Sequence, residues 1–80
     1  MENKERIKNL KELIVRVKSA IAQLEYIKIN NFSGIIVDDY DFMDMARRND
    51  IALENLQILK YKLLTELKSL QESNQNTVNN

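Results

Sequence analysis

The residues of this chain best suited to chemistry are four aspartates in the stretch from Asp38 to Asp44. Carboxylates this close together can hold a hard cation or share a proton. The spacing does not fit a calcium loop, because Met43 takes the place of the third ligand and no Gly or terminal Glu follows. Asp41 and Asp44 are spaced like a catalytic pair, but so short a chain shows no aromatic cleft for a sugar. We therefore expect no metal, no cofactor and no enzyme activity.

The same aspartates fit the start of a helix. Asp is a favoured N-cap residue, so Asp38 or Asp39 predicts where a second helix begins. Asp41 and Asp44 would then lie in or near its first turns, where negative charge complements the helix dipole. This structural interpretation accounts for the acidic residues without any ligand.

Large side chains interleave with these charges, and that composition is suited to docking. Tyr and Met are favoured contact residues, and an acidic segment can engage a basic groove. The alternative for Phe42 is that it caps a hydrophobic core. Arg47 and Arg48 could clamp a phosphate or a partner carboxylate, although pairing with Asp44 or Asp50 is the simpler interpretation. We predict that protein binding involves Asp38, Asp39, Tyr40, Asp41, Phe42, Met43, Asp44, Arg47 and Arg48.

A long first helix, from about Asn3 to Ile29 or Asn30, must precede this segment. Apolar residues at alternating steps of three and four form one seam, a heptad pattern typical of helices that pack lengthwise on other helices. The seam comprises Ile7, Leu10, Ile14, Val17, Ile21 and Leu24. Three further residues extend the stripe on one flank: Leu13, Ala20 and Ile27.

A second helix should run from about Asp39 to Gln71 or Glu72. Asn49 and Glu66 interrupt its seam, and a polar residue in such a seam more often fixes register or oligomeric state than performs chemistry. The predicted seam comprises Phe42, Met45, Ala52, Leu56, Leu59, Leu63 and Leu70, with Leu53 and Leu67 beside it. Residues 73–80 are polar and lack periodicity, so a disordered tail is expected.

The connection between the helices, residues 31–38, breaks the heptad pattern. Gly34 and the β-branched residues 35–37 suit a short extended segment that folds back over the end of the bundle. A strand here would need a partner strand from another subunit. The rest of the chain contains no Pro and no second Gly, which favours a few long helices over a β-rich fold.

Composition narrows the class further. Eighty residues, 44% of them hydrophobic and 30% charged, are typical of one folded helical domain, residues 1–72. No Cys or His is present, which removes thiolate ligands and the commonest general base. No stretch resembles a signal peptide or a membrane span, so we expect a cytoplasmic protein and no membrane partner. The abundance of Asn, Ile and Lys is typical of AT-rich genomes, such as those of low-GC bacteria and their phages.

Charge is distributed unevenly although the net charge is zero. Residues 1–30 carry +3, residues 31–55 carry −4 and residues 56–80 carry +1. The basic face of the first helix is interrupted by glutamates and has no aromatic residue on which a base could stack. We therefore do not expect nucleic acid as a partner.

Apolar residues away from the main seams predict self-association. A two-helix hairpin would leave them in water, whereas a homodimer that forms a four-helix bundle would bury some of them. The candidate oligomer interface comprises Val15, Ala22, Ile29, Ile51, Ile58, Tyr61 and Leu64.

The sequence thus predicts an all-α protein: a two-helix antiparallel hairpin, coiled-coil-like, that dimerises into a four-helix bundle. No motif identifies a family. Small regulators, adaptors and inhibitors of bacteria and phages often have this architecture, although a fold does not fix a function. The leading hypothesis is a non-enzymatic, homo-oligomeric regulator or inhibitor that binds another, unidentified protein. The alternatives are an assembly component that self-associates through its helices and a nucleic-acid-associated dimer that uses its first helix.

Overall fold

The computed structural model describes the backbone of residues 2–30 and 39–79, and the side chains of residues 3–28 and 40–73. Within these ranges the chain forms two α-helices and no strand: α1, Glu2–Asn30, and α2, Asp39–Asn79. The prediction of an all-α chain with two long helices is confirmed. The predicted extended connection, and with it the possibility of a strand shared between subunits, lies outside the described residues.

The C-terminal end of α2 differs from the prediction. The helix continues to Asn79 and so includes residues 73–79, which the sequence analysis assigned to a disordered tail. This stretch contains neither Pro nor Gly, and each residue added to an existing helix forms one more backbone hydrogen bond without a new nucleus. Polar composition removes the packing face of a helix but does not by itself end it.

The two helices lie side by side. At 1.5 Å per residue, α1 and α2 are about 44 and 62 Å long. The Cα atoms extend over 63 × 15 × 15 Å, so the long axis equals the length of α2 alone. Because only eight residues separate the helices, α1 must run back along α2 in the antiparallel direction. The arrangement is a helical hairpin.

The seam of α1 is the predicted one. Ile14, Val17 and Ile21 are buried, with 5–7% of their surface exposed, and Leu10 and Leu24 are half-buried on either side. These five residues follow the heptad spacing and therefore form one stripe that faces α2. The first helix thus presents to its neighbour the residues that its sequence pattern indicates.

The seam of α2 is rotated by one heptad row from the prediction. Phe42, Met45 and Leu59, predicted to be buried, are 39%, 44% and 43% exposed. The more protected row is instead Ala46, Asn49, Leu53, Leu56, Lys60, Leu63, Leu67 and Leu70. Asn49, Leu56, Leu63 and Leu70 belong to both patterns, which is why the sequence alone did not separate them.

A physical reason favours the observed row over the predicted one. The predicted row would turn Glu66 towards α1, whereas the observed row turns Lys60 instead. A lysine can cover apolar surface with its long stem and still bring its ammonium group to water, but the shorter glutamate cannot extend as far. The observed row also places Leu53 and Leu67 in the seam, where the predicted row had Ala52 and Glu66.

Candidate protein-binding site

The start of α2 carries a shallow depression of about 310 Å³. It is lined by Tyr40, Met43, Asp44 and Arg47, which lie within the first two and a half turns of the helix. We call these four residues the Tyr40 patch. Tyr40 and Met43 are 78% and 70% exposed, so the large side chains predicted to make contacts are available at the surface.

An ionic cluster organises the charged side of this patch. Arg48 donates a hydrogen bond from Nε to Oδ2 of Asp44 at 2.9 Å, and Arg47 lies 3.5 Å from the other carboxylate oxygen. The hydrogen bond from Arg48 holds the pKa of the Asp44 carboxyl below its ordinary value, and the positive charges of both arginines act in the same direction. The pKa of Arg48 is raised by the same contact. The pairing of both arginines with Asp44, which the sequence offered as the simpler interpretation, is confirmed.

The other predicted binding residues are distributed around this patch. Asp41 is exposed in the first turn of α2, and Phe42 is 39% exposed. Asp38 and the side chain of Asp39 lie outside the described residues. The structure therefore brings four of the nine candidates together in one depression, with Arg48 attached through Asp44 and Asp41 nearby along the helix.

A polar junction joins the helices just beyond this segment. Asn49 is buried, at 8% exposure, and its side-chain amide donates a hydrogen bond to the backbone oxygen of Leu24 at 3.1 Å. Next to it, Lys28 and Asp50 form an ion pair at 2.9 Å with both side chains about half exposed. A buried amide that is hydrogen-bonded across the seam favours the register in which that bond forms, because an unsatisfied buried amide is costly. The predicted structural role of Asn49 is thus supported by its hydrogen bond.

The predicted oligomer-interface residues are exposed wherever the structure describes them. Val15 and Tyr61 are 66% and 71% exposed, and both isoleucines of α2 in this set are 48% exposed. Ala22 is also exposed, Leu64 is 39% exposed, and the side chain of Ile29 lies outside the described residues. Their exposure is consistent with an oligomer interface, and their role in one stays a prediction.

A second apolar surface runs along one side of the hairpin. Sequence reasoning identified its α1 half, the stripe of Leu13, Ala20 and Ile27, but placed its α2 half in the seam. In each helix, its residues recur every seven positions, and each directly precedes a seam position. Because the helices are antiparallel, the two sets of residues lie on the same side of the hairpin. The hydrogen bond between Asn49 and Leu24 shows how the two helices are aligned. Counted from it in steps of seven residues, each α1 residue of this surface lies at the same height as an α2 residue, to within about one residue. We call this surface the apolar flank; its three layers are Ile27 with Met45, Ala20 with Ala52, and Leu13 with Leu59.

The exposed fractions of three of the four large residues on this flank are nearly equal. Leu13, Met45 and Leu59 are 45%, 44% and 43% exposed, while Ile27 is half-buried. Each large side chain therefore turns one side towards its own seam and leaves the other side in water. The signal in the sequence was the alternative heptad row of α2, which leaves Met45, Ala52 and Leu59 outside the seam.

Metal sites and membrane-spanning segments are both absent from the described residues. Across the described side chains, no group of three or more carboxylates is placed to hold a metal ion. Neither of the two described helices has an apolar stretch that could cross a membrane. The scan of protein-family models and the searches of curated proteins and of solved structures found no match to this chain.

Proposed function

We propose that this chain is a small, non-enzymatic regulator or inhibitor that acts as a homodimer and docks onto another protein through the Tyr40 patch. The observation that carries the proposal is an imbalance of apolar side chains. Among the described side chains, four hydrophobic residues are buried and twelve large hydrophobic residues are exposed. A protein that exposes so much apolar surface relative to its core is expected to cover it with other protein surfaces.

The chemistry of the Tyr40 patch favours one kind of partner. Its exposed Tyr and Met supply contact area, and Asp44 engages both Arg47 and the adjacent Arg48. Asp41 and its sequence neighbours add negative charge that these arginines do not neutralise. We therefore propose a partner with a basic, partly apolar groove, onto which opposite charge would steer the patch.

The Tyr40 patch can be tested with matched tyrosine variants. Tyr40→Ala and Asp41→Lys should each abolish capture of the partner from the native host, as identified by mass spectrometry and then repeated with the purified partner. Tyr61→Ala is the matched control, because Tyr61 is 71% exposed on the same helix but three turns or more away. Loss of a contact residue at the centre of an interface typically costs about 2 kcal/mol or more. Equal affinity in Tyr40→Ala, Asp41→Lys and Tyr61→Ala would contradict docking through this segment.

A second candidate function has its own supporting observation. Ile51 and Ile58 are 48% exposed on the face of α2 that points away from α1, and Tyr61 lies beside them. A chain with apolar surface on more than one side could form open assemblies rather than a closed dimer. We therefore keep an assembly component as the alternative. Mass measurement separates the two, because a regulator stops at a fixed mass while an assembly component grows with concentration.

A further inference from the structure

We propose that a second copy of this chain covers the apolar flank, so that two hairpins form one four-helix bundle with the alanine layer at its centre. This inference rests on the homodimer half of the proposed function and specifies which surface the second copy occupies. It differs from the interface that the sequence analysis suggested. Three features support it: the amount of exposed surface, the shape of the flank and the charges at its end.

The exposed surface exceeds that of a compact monomer by the area of a stable interface. The solvent-accessible surface is 6603 Å² for a mass of 9.4 kDa. A compact monomer of this mass exposes about 5,000 Å², so the excess is about 1,600 Å² per chain. Obligate homodimers bury about 2,000–5,000 Å² in total, or about 1,000–2,500 Å² from each subunit. A dimer that covers one long side of the hairpin would bury part of this excess.

The shape of the flank suits close packing against an identical flank. Its central layer, Ala20 with Ala52, is small, and the layers on either side contain large residues. Small side chains let two backbones approach each other, and alternation of large and small layers lets the facing side chains interdigitate. The half-exposed surfaces of Leu13, Met45 and Leu59 would then meet apolar atoms instead of water.

Charge complementarity indicates how the two copies are oriented. The rows of the flank continue to Arg6 on α1 and Glu66 on α2, both of which are exposed. If α1 of each copy lies over α2 of the other, Arg6 faces Glu66 of the second copy at two symmetric positions. If like helices lie over each other, Glu66 approaches the acidic start of α2 instead. The first orientation pairs opposite charges and is the one we propose.

The interface predicted from sequence cannot be covered by one partner hairpin. Ile51 and Ile58 lie on the side of α2 directly opposite its seam, whereas Val15 and Ala22 project from the far side of α1. These surfaces face in different directions. The six residues of the apolar flank, in contrast, share one side of the molecule, and a second copy can contact all of them at once.

Two adjacent residues provide a matched test. Leu59 and Ile58 are 43% and 48% exposed, but only Leu59 lies on the apolar flank. Leu59→Lys should weaken the dimer by about a hundredfold or more in dissociation constant, because it places an uncompensated charge within the interface. Ile58→Lys should leave the constant within about threefold of the wild-type value, as expected for a position outside the interface. Light scattering across a dilution series measures both constants, and circular dichroism reports whether each variant is helical.

A mixing experiment tests the orientation and does not depend on how each variant folds alone. In the proposed dimer, Leu13 of one copy faces Leu59 of the other. Leu13→Glu and Leu59→Lys should each be monomeric alone, but their equimolar mixture should form a heterodimer in which the two new charges pair. Recovery of dimer mass in the mixture supports the proposal. A mixture that stays monomeric contradicts this orientation.

The remaining outcomes separate this inference from the function on which it rests. A wild-type chain that stays monomeric at every concentration overturns both the homodimer and the flank. If the wild-type chain is a dimer, and the Leu59→Lys variant stays dimeric while the Ile58→Lys variant dissociates, the apolar flank is overturned as the interface and the homodimer stands. Partner capture by the Tyr40 patch is measured on separate variants, so it stands or falls independently.

Discussion

The two long sides of this hairpin are built from the same two helices but differ in the polarity of their side chains. One side is the apolar flank. On the other, the corresponding rows hold mostly charged and polar residues, with an ion pair between Lys28 and Asp50 at 2.9 Å; we call it the charged flank. Its members are Lys11, Lys18, Glu25, Asp50, Gln57 and Leu64. Charged side chains remain favourable in water, so the charged flank needs no cover, whereas the apolar flank does.

The seam and the flanks of this hairpin therefore have separate roles. The seam holds α1 to α2; it is buried at the centre of α1, and most of its residues on α2 are half-buried. The flanks determine whether the hairpin associates with other chains. A charged flank stays in contact with water, whereas an apolar flank is stabilised when another chain covers it. Substitutions in the seam should therefore have larger effects than substitutions on the charged flank.

Ile14→Asp should unfold the hairpin. Ile14 is 5% exposed, so truncation to Ala alone would cost about 2–5 kcal/mol, and a buried unpaired carboxylate adds to that. Val15→Asp is the matched control, since Val15 is 66% exposed and should tolerate the charge. Far-ultraviolet circular dichroism measures the loss of helicity. A helical Ile14→Asp variant would show that the seam does not hold the two helices together.

The seam predicted from sequence includes Leu59, so on that prediction Leu59→Asp would also unfold the protein. Because Leu59 is 43% exposed in the structure, we expect this variant to keep the hairpin folded.

Ala52→Lys should remove the concentration dependence of thermal unfolding. The melting temperature of the wild-type dimer should rise with protein concentration by mass action. A lysine in the alanine layer would separate the copies and leave a melting temperature that does not change on dilution. Gln57→Lys on the charged flank is the control and should keep the wild-type dependence. If both variants respond to dilution alike, the two flanks do not differ in function.

Asn49→Leu should stabilise the hairpin while loosening its specificity. Burial of a polar amide costs about 1–3 kcal/mol that its hydrogen bond to Leu24 only partly recovers, so an apolar replacement should raise the free energy of unfolding. The same change removes the group that selects the register, and mixed oligomeric states should appear in light scattering. Asn55→Leu, at an exposed position of the same helix, should do neither. A less stable Asn49→Leu variant of unchanged mass would contradict this account.

Lys28→Ala should lower the stability only slightly. Both partners of the Lys28–Asp50 ion pair are about half exposed, and exposed pairs contribute about 0.2–1 kcal/mol. The loss should shrink further in high salt, because screening weakens the wild-type pair. Urea denaturation at low and high ionic strength measures it. A loss above about 2 kcal/mol would mean that the charged flank contributes to the seam.

Acidification should weaken the start of α2 by a still smaller amount. The folded-state pKa of Asp44 is held below its ordinary value of 3.8, so its interaction with Arg48 is fully present above that value and is lost as the pH falls through the folded pKa. Asp44→Asn removes this contribution and should show a flatter decrease in helicity below about pH 4. Identical acid titrations of wild type and Asp44→Asn would show that this pair does not stabilise the helix.

Much of the candidate site could be predicted from single residue types. α2 begins at Asp39, one of the two start positions that the sequence predicted, and Asp44 binds the two arginines that follow it at helical spacing. These are local features, in which the partners lie within one turn of each other. The apolar flank is different, because it needs residues from both helices and appears only when their register is known.

The sequence alone determined the two helices, the seam of α1 and the importance of Asn49, since each follows from spacing within one segment. Only the tertiary structure decided which row of α2 faces α1. Apolar residues occupy adjacent heptad rows in α2, so two seams that share Leu56, Leu63 and Leu70 fit the pattern almost equally well. Packing against α1 separates them, because it turns Leu53 and Leu67 inward and leaves Glu66 in water. That one rotation turns the row that includes Leu59 outward and so creates the apolar flank.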